Sequence, residues 1–271
     1  MAVVEVEELK KGIVGVFINR PERANALNRE VWDSLLTIFI ELDARDDIRV
    51  IILSGRGNKG FSSGLDLMGM PGFMNIINET SPALKVHEGY KLAVDLQRIG
   101  RAIESVRHPV ISLIYGYCLG GALETIAATD IRLADKSAVF SLPEVELGMV
   151  PDLGGQHRLQ RIISLGWVKR LAYSGEKIDA ETALRIGLVE EVFDDKDTLF
   201  KKGLELAERI ANNAPLAVRG TKASINQLIL PKVDLELETE ARHSSPVLTS
   251  EDIAEGIQSR MSKKKPEFKG R

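Results

Sequence analysis

The sequence predicts an α/β protein in which strands and helices alternate, closed by a helical C-terminal region. Two observations carry this. In the first half, short β-branched apolar runs alternate with stretches whose apolar residues recur at helical spacing. After Asp194 the strand-like runs cease and four helical patterns follow one another. We therefore divide the chain into a core at 1–195 and a helical region at 196–271.

The elements follow in order. Gly12 to Asn19 (GIVGVFIN) is apolar, β-branched and bounded by turn residues, so it reads as a strand. Asn28 is a candidate N-cap for a helix on which Val31, Leu35, Phe39 and Leu42 form one face. Arg49 to Ser54 (RVIILS) carries a short continuous apolar run, as in a parallel strand covered on both faces. Pro71 to Glu88 is weakly periodic, with Pro71, Gly72 and Pro82, and reads as a mobile excursion. Leu92, Leu96, Ile99, Ile103 and Val106 mark one face of a helix ending near His108-Pro109. Val110 to Ile114 is a third buried strand. Gly120-Gly121 opens another helix, and Asp130 to Leu133 returns as a strand. This alternation argues for right-handed βαβ units. Asp197 to Asn212, Ala217 to Leu230, Val233 to His243 and Asp252 to Ser262 read as the C-terminal helices.

Composition excludes several classes of function. The 271 residues are 44% hydrophobic and 28% charged, with a net charge of -3, which suits an ordinary core and disfavours general nucleic-acid binding. No apolar run approaches the roughly 20 residues of a membrane helix. The N-terminal Met1-Ala2-Val3-Val4-Glu5 shows no secretory signal, and the single Cys118 forbids an internal disulfide, so a cytoplasmic location is expected. His87, His108, His157 and His243 lack metal-ligand spacing, and no metal site is expected.

Two glycine-containing turns follow strands: Phe61-Ser62-Ser63-Gly64-Leu65-Asp66-Leu67, and Tyr117-Cys118-Leu119-Gly120-Gly121-Ala122-Leu123-Glu124. Open α/β sheets bind ligands at the C-terminal ends of their strands. One backbone N–H from each turn could hold a carbonyl oxygen that becomes negative during reaction. Tight strand-to-helix packing explains the glycines equally well. There is neither a G-x-G-x-x-G after the first strand nor a phosphate-loop lysine. Glu124 stands one turn into an apolar helix, where a carboxylate either stabilises the helix N-terminus or does chemistry. Glu144 sits in Ser141-Leu142-Pro143-Glu144-Val145-Glu146-Leu147-Gly148, and Asp152 follows in Val150-Pro151-Asp152-Leu153-Gly154-Gly155. Apolar surroundings raise a carboxyl pKa and make it a usable acid or base near neutrality.

In this order the motifs resemble the crotonase, or enoyl-CoA hydratase/isomerase, superfamily, almost end to end. The matching stretches are Asn19-Arg20-Pro21 with Asn25-Ala26-Leu27, the FSSGLDL turn, and His108-Pro109-Val110-Ile111 leading to Gly116 through Gly121. They continue with Asp130-Ile131-Arg132, Pro143-Glu144 through Gly148, Gly154-Gly155 with Arg158-Leu159, and Pro266-Glu267-Phe268-Lys269.

The resemblance implies a spiral of ββα repeats as the catalytic core and a C-terminal helical region that covers the active site and assembles homotrimers, often paired as hexamers. It implies an oxyanion hole from the backbone N–H groups of Leu65 and Gly121. Glu124 and Glu144 would activate one water for syn addition to a 2-enoyl-CoA thioester. Arg20, Arg23, Ala24 and Ala26, with Ser63, Asp66 and Leu67, would line the substrate and coenzyme A site. Phe268 and Lys269 would reach the adenine end, commonly from another subunit. No metal, nicotinamide or flavin is implied, since coenzyme A is part of the substrate; no nucleic acid or membrane partner is expected.

Asp152 departs from the hydratase pattern, which carries glycine there. It resembles the 3,5-2,4-dienoyl-CoA isomerases, which usually have aspartate at the place of Glu124. Isomerisation using Asp152 is therefore the alternative reading, and a non-catalytic acyl-CoA- or RNA-binding protein is a third. The apolar Met68, Met70, Phe73, Met74, Ile76 and Ile77 suggest a hydrocarbon-like acyl group or plain packing.

Overall fold

The computed structural model describes residues 2–227 and 230–270. Among the described residues nine strands form two sheets. They are β1 (Val4–Lys10), β2 (Ile13–Ile18), β3 (Val50–Gly55), β4 (Val110–Ile114), β5 (Tyr117–Leu119), β6 (Ile131–Asp135), β7 (Val139–Ser141), β8 (Ile178–Asp179) and β9 (Glu191–Phe193). The larger sheet runs β1-β2-β3-β4-β6-β9 and the smaller β5-β7-β8. β1 and β2 form an antiparallel hairpin, while β2, β3, β4, β6 and β9 are parallel neighbours.

The continuous apolar runs have a simple origin. β2, β3 and β4 are buried along their whole length. Alternate residues point to opposite faces. Ile13, Val50, Ile52, Ile111 and Leu113 pack with Leu199 and Ala207 of the helix Lys196–Ala211. Val14, Val16, Ile51, Leu53 and Ile114 belong to the main core, with Leu35 and Phe39 of the helix Arg29–Ala44. Each such aliphatic side chain contributes about 1.5–3 kcal/mol when fully buried. Asn28 caps the helix Arg29–Ala44 as expected, its side chain accepting from the Val31 N–H at 3.0 Å.

Two expectations need correction. The stretch Pro71 to Glu88 is not an irregular excursion. It forms the helix Pro71–Asn78 and the start of the helix Pro82–Leu96. Pro71 and Pro82 each occupy a first-turn position, where the missing N–H costs nothing and the fixed φ favours a start. The single helix expected up to His108-Pro109 is two segments, Pro82–Leu96 and Arg98–Ser105, meeting at Gln97. There the Trp32 indole N–H donates to the Leu96 carbonyl at 2.9 Å. The Gln97 Nε2 donates to the carbonyls of Asp152 at 2.7 Å and Leu237 at 3.0 Å.

The helix expected at Ala217 to Leu230 is seen as Pro215–Gln227, and positions 228 and 229 lie outside the described residues. The helices Leu230–Val247 and Glu251–Ser262 complete the C-terminal region. Among the described residues no helix is long and apolar enough to cross a membrane.

Candidate active site

The two glycine-containing turns are laced together by backbone hydrogen bonds. The N–H groups of Phe61 and Ser62 donate to the carbonyls of Tyr115 and Tyr117, each at 2.8 Å, and Leu119 N–H returns to Ser62 O at 3.2 Å. Leu27 N–H donates to Gly64 O and Asp66 N–H to Leu27 O, which leaves the Leu65 amide between two committed groups. Gly121 opens the helix Gly121–Ile126, so its N–H is one of those without a partner in the helix. Among the described residues neither amide has an acceptor. Gly120 stands before this helix at φ +55, and a Cβ on it would lie 2.6 Å from Glu144 Oε1, so only glycine fits.

These amides open on a cavity of about 470 Å³ that Leu65, Gly121 and Glu144 help to line. Glu144 is carried by a short 3-10 turn, Pro143–Leu147, after β7. Its Oε2 is shut off from solvent and has no hydrogen-bond partner. Burial, then the charge of Glu124, push its pKa well above the ordinary value of a glutamate, which favours its protonated form.

Glu124 is 2% exposed and lies in the next layer. Its Oε2 accepts from the amides of Leu153 at 3.0 Å and Gly155 at 2.8 Å. Burial and the charge of Asp152 raise its pKa to about 7, against the pull of those two amides and of Arg158. Asp152 accepts a hydrogen bond from the Ser244 hydroxyl, and burial raises it to about 6. The two glutamates and Asp152 thus gather, with only Glu144 on the cavity wall itself.

The remaining expected site residues divide into two groups. Arg23, Ala24, Ala26, Ser63, Asp66 and Leu67 line the cavity. Arg20 lies beside it: its guanidinium donates to Ala26 O at 2.6 Å and pairs with Asp66 at 3.2 Å, tying the two loops together. Phe268 and Lys269 do not line this chain's own cavity. The amides of Lys269 and Gly270 donate to the Asp252 carboxylate at 2.6 and 2.8 Å, which turns the tail onto the start of the helix Glu251–Ser262.

Several groups escaped the sequence reading. Lys177 and Arg260 join Arg23 as exposed cations around the cavity. Asn25 is fully buried and pins the entrance loop, donating to the carbonyls of Arg56 at 2.9 Å and Gly60 at 2.8 Å. Ser244 and Glu240 come from the helix Leu230–Val247, where no motif marks them. A larger cavity of about 850 Å³ lies elsewhere, between 127–132 and the helix Pro215–Gln227. Its charged lining residues are already paired, Lys222 with Asp130 at 2.7 Å, Arg158 with Glu104 at 2.9 Å, Arg161 with Glu236 and Arg132 with Glu190, whereas the smaller cavity holds the unpartnered Glu144.

Comparison with known proteins bears on this arrangement. Residues 8–271 match the family model described as enoyl-CoA hydratase/isomerase. The chain is 34% identical over 264 residues to a short-chain-enoyl-CoA hydratase of Clostridium acetobutylicum, covering 97% of each. It is 33% identical over 262 residues to the mitochondrial Delta(3,5)-Delta(2,4)-dienoyl-CoA isomerase of Mus musculus, covering 96% of this chain and 80% of that protein. A crystal structure of an enoyl-CoA hydratase/isomerase from Pseudoalteromonas atlantica superposes with a TM-score of 0.85 at 28% identity, covering 98% of this chain and 100% of that one.

Proposed function

The chain belongs to the enoyl-CoA hydratase/isomerase family, and from that premise we propose that it adds water across the double bond of 2-enoyl-CoA thioesters. The observation that carries this reading is the buried, unpartnered carboxyl of Glu144 on the cavity wall next to two free amides.

The thioester carbonyl oxygen accepts from the Leu65 and Gly121 N–H groups. Water attacks C3 from the side of the two glutamates and gives its proton to Glu124, whose ionised form the Leu153 and Gly155 amides stabilise. The electron pair passes through C2 to the carbonyl, and the enolate charge falls on the oxyanion hole. Glu144 then delivers its proton to C2 on the same face. Return of the proton from Glu124 to Glu144, directly or by exchange of both groups with solvent, completes the cycle. Carboxyls and amides carry every step, and coenzyme A enters as part of the substrate. Arg23, Lys177 and Arg260 provide the positive charge that its phosphates need. Leu65, Leu67, Met68, Leu147 and Met149 on the cavity wall favour a hydrocarbon acyl group.

Asp152 supports a second reading, isomerisation of a 3,5-dienoyl-CoA, in which it exchanges a proton with the far end of the conjugated chain. The acting unit on either reading is a homotrimer or hexamer with Phe268 and Lys269 given to a neighbour's site, and the expected location remains cytoplasmic.

Incubation with crotonyl-CoA and with a dienoyl-CoA in oxygen-labelled water separates the two reactions. Hydration incorporates the label; bond migration without label overturns the leading reading. On either, Glu144→Gln should lower kcat by about 10²- to 10⁴-fold while thioester binding persists. Turnover within a few-fold of wild type would remove Glu144 from the mechanism.

A further inference from the structure

Behind Glu124 and Asp152 lies a fourth carboxyl. Glu240, on the helix Leu230–Val247, has a side chain 4% exposed, and neither of its oxygens finds a hydrogen-bond partner. His157 Nε2 stands 3.2 Å from Oε1 and is itself buried without another partner. Leu237 and Ser244, about one turn away on either side, meet the same loop. Leu237 O accepts from Gln97, and the Ser244 hydroxyl donates to Asp152. One face of this helix is therefore built against the catalytic loop 151–155.

We infer that Glu240 and His157 form a buried proton-sharing pair that keeps the rear of the acidic site uncharged, so that they position Glu124 and Asp152 without touching the substrate.

The surroundings leave Glu240 little choice. The charges facing it are Glu124 from the helix Gly121–Ile126, Asp152 from the loop, and His157 and Arg158 from the helix Gly155–Leu159. Arg158 is held by both oxygens of Glu104 at 2.9 Å and by the Leu153 carbonyl at 3.0 Å. Glu236, on Glu240's own helix, is taken by Arg161 at 2.5 Å. An ionised Glu240 would add a third negative charge to Glu124 and Asp152 in a nearly dry layer. Burial, then Glu124 and Asp152, raise it to about 9, opposed by the Gly154 amide and Arg158. Burial lowers His157, against the charge of Glu236. A neutral acid facing a neutral imidazole is the state that fits both: the carboxyl O–H donates to Nε2. The balance costs no net charge, since one proton moves between two neighbouring atoms.

This inference rests on the reading that Glu124, Glu144 and Asp152 do the chemistry. Glu240→Gln copies the neutral acid. It should keep kcat/KM at neutral pH within about threefold of wild type. Wild type should lose activity on the alkaline side as Glu240 ionises near pH 9 and forces a proton back onto the proposed base Glu124; in the variant the alkaline limb, set by Glu144 alone, should lie at higher pH.

Infrared titration of the substrate-free Glu144→Gln protein, in which the other strongly raised carboxyl is gone, should show a carboxylic-acid carbonyl band that persists above neutrality, disappears near pH 9 and is missing when Glu240→Gln is added. Superimposed pH profiles for wild type and Glu240→Gln, or a Glu144→Gln spectrum with no acid band above neutrality, would overturn the pair. Should the Glu240 variants fail to fold, the Glu144→Gln spectrum still decides. A protein inactive on both thioesters would remove the proposed reaction and leave the infrared titration to judge Glu240.

Discussion

Glu124 and Glu144 differ in what their oxygens touch. Two amides converge on Glu124, whereas Glu144 Oε2 has nothing. That difference is why Glu124 is proposed as the base and Glu144 as the acid, and the burial of Glu124 has a consequence for stability. A carboxyl whose pKa is raised by folding binds its proton more tightly folded than unfolded. The native state is then favoured at low pH, and stability falls as pH rises from the unfolded pKa to the folded one. For Glu124 that window runs from 4.5 to about 7. Glu124→Gln has no proton to lose there. Its denaturation midpoint should gain on wild type between the two ends of the window by on the order of 3 kcal/mol, and by nothing further above it. Parallel pH dependence of the two proteins in urea denaturation would count against the buried assignment. Glu124, Glu144 and Asp152 were legible because each sits inside a motif between apolar residues. Glu240 was not: it lies on a helix far along the chain, among Glu236, Glu238 and Arg242 that face outward or pair, and only folding brings it to the loop.

At the scale of elements, the loop 151–155 is the part that the rest grips. Gln97 holds it from the break between two helices, Glu124 holds its amides from below, and Leu237 and Ser244 press from the helix Leu230–Val247. Gly154 is the point where these constraints meet. It has φ +91, and a Cβ there would stand 2.2 Å from Arg158 Nη1 and 2.4 Å from Leu237 Cδ2. Gly154→Ala should destabilise the protein by about 1–3 kcal/mol from backbone strain and overpacking. It should also lower kcat more than it raises KM, because the Leu153 and Gly155 amides shift away from Glu124. Unchanged urea midpoint and kcat together would mean that the loop tolerates displacement. β2, β3, β4, β6 and the Asn28-capped helix were legible from apolar runs and cap chemistry. β1 was not, because it is an edge strand with only Val4 buried and a Glu- and Lys-rich outer face. Nor were β5, β7, β8 and β9, because two or three residues are too few to set a period. The prolines at 71 and 82 were misread because the same residue that breaks a helix interior opens a helix at its first turn.

For the whole molecule, the C-terminal tail poses the main question. The helix Lys196–Ala211 packs on the parallel sheet, and the helix Leu230–Val247 lies along Pro82–Leu96, so both serve their own chain. The last residues do not. Phe268 is 43% exposed, and the tail is turned onto Asp252, away from the cavity of its own chain. Such a tail fits the proposed assembly, in which it serves a neighbouring site. On that proposal sedimentation should give a mass of three or six times 29.9 kDa. On the same proposal, removal of residues 266–271 should raise KM for the thioester several-fold with kcat kept, since lost contacts to the far end of the substrate leave the reacting carbons untouched. Co-expression then separates a neighbour's tail from the chain's own. Truncated chains paired with full-length Glu144→Gln chains have working acids only in the truncated subunits and tails only on the inactive ones. A return to low KM in such mixed assemblies requires the tail to act across subunits, and a KM that stays high requires it to act within its own chain.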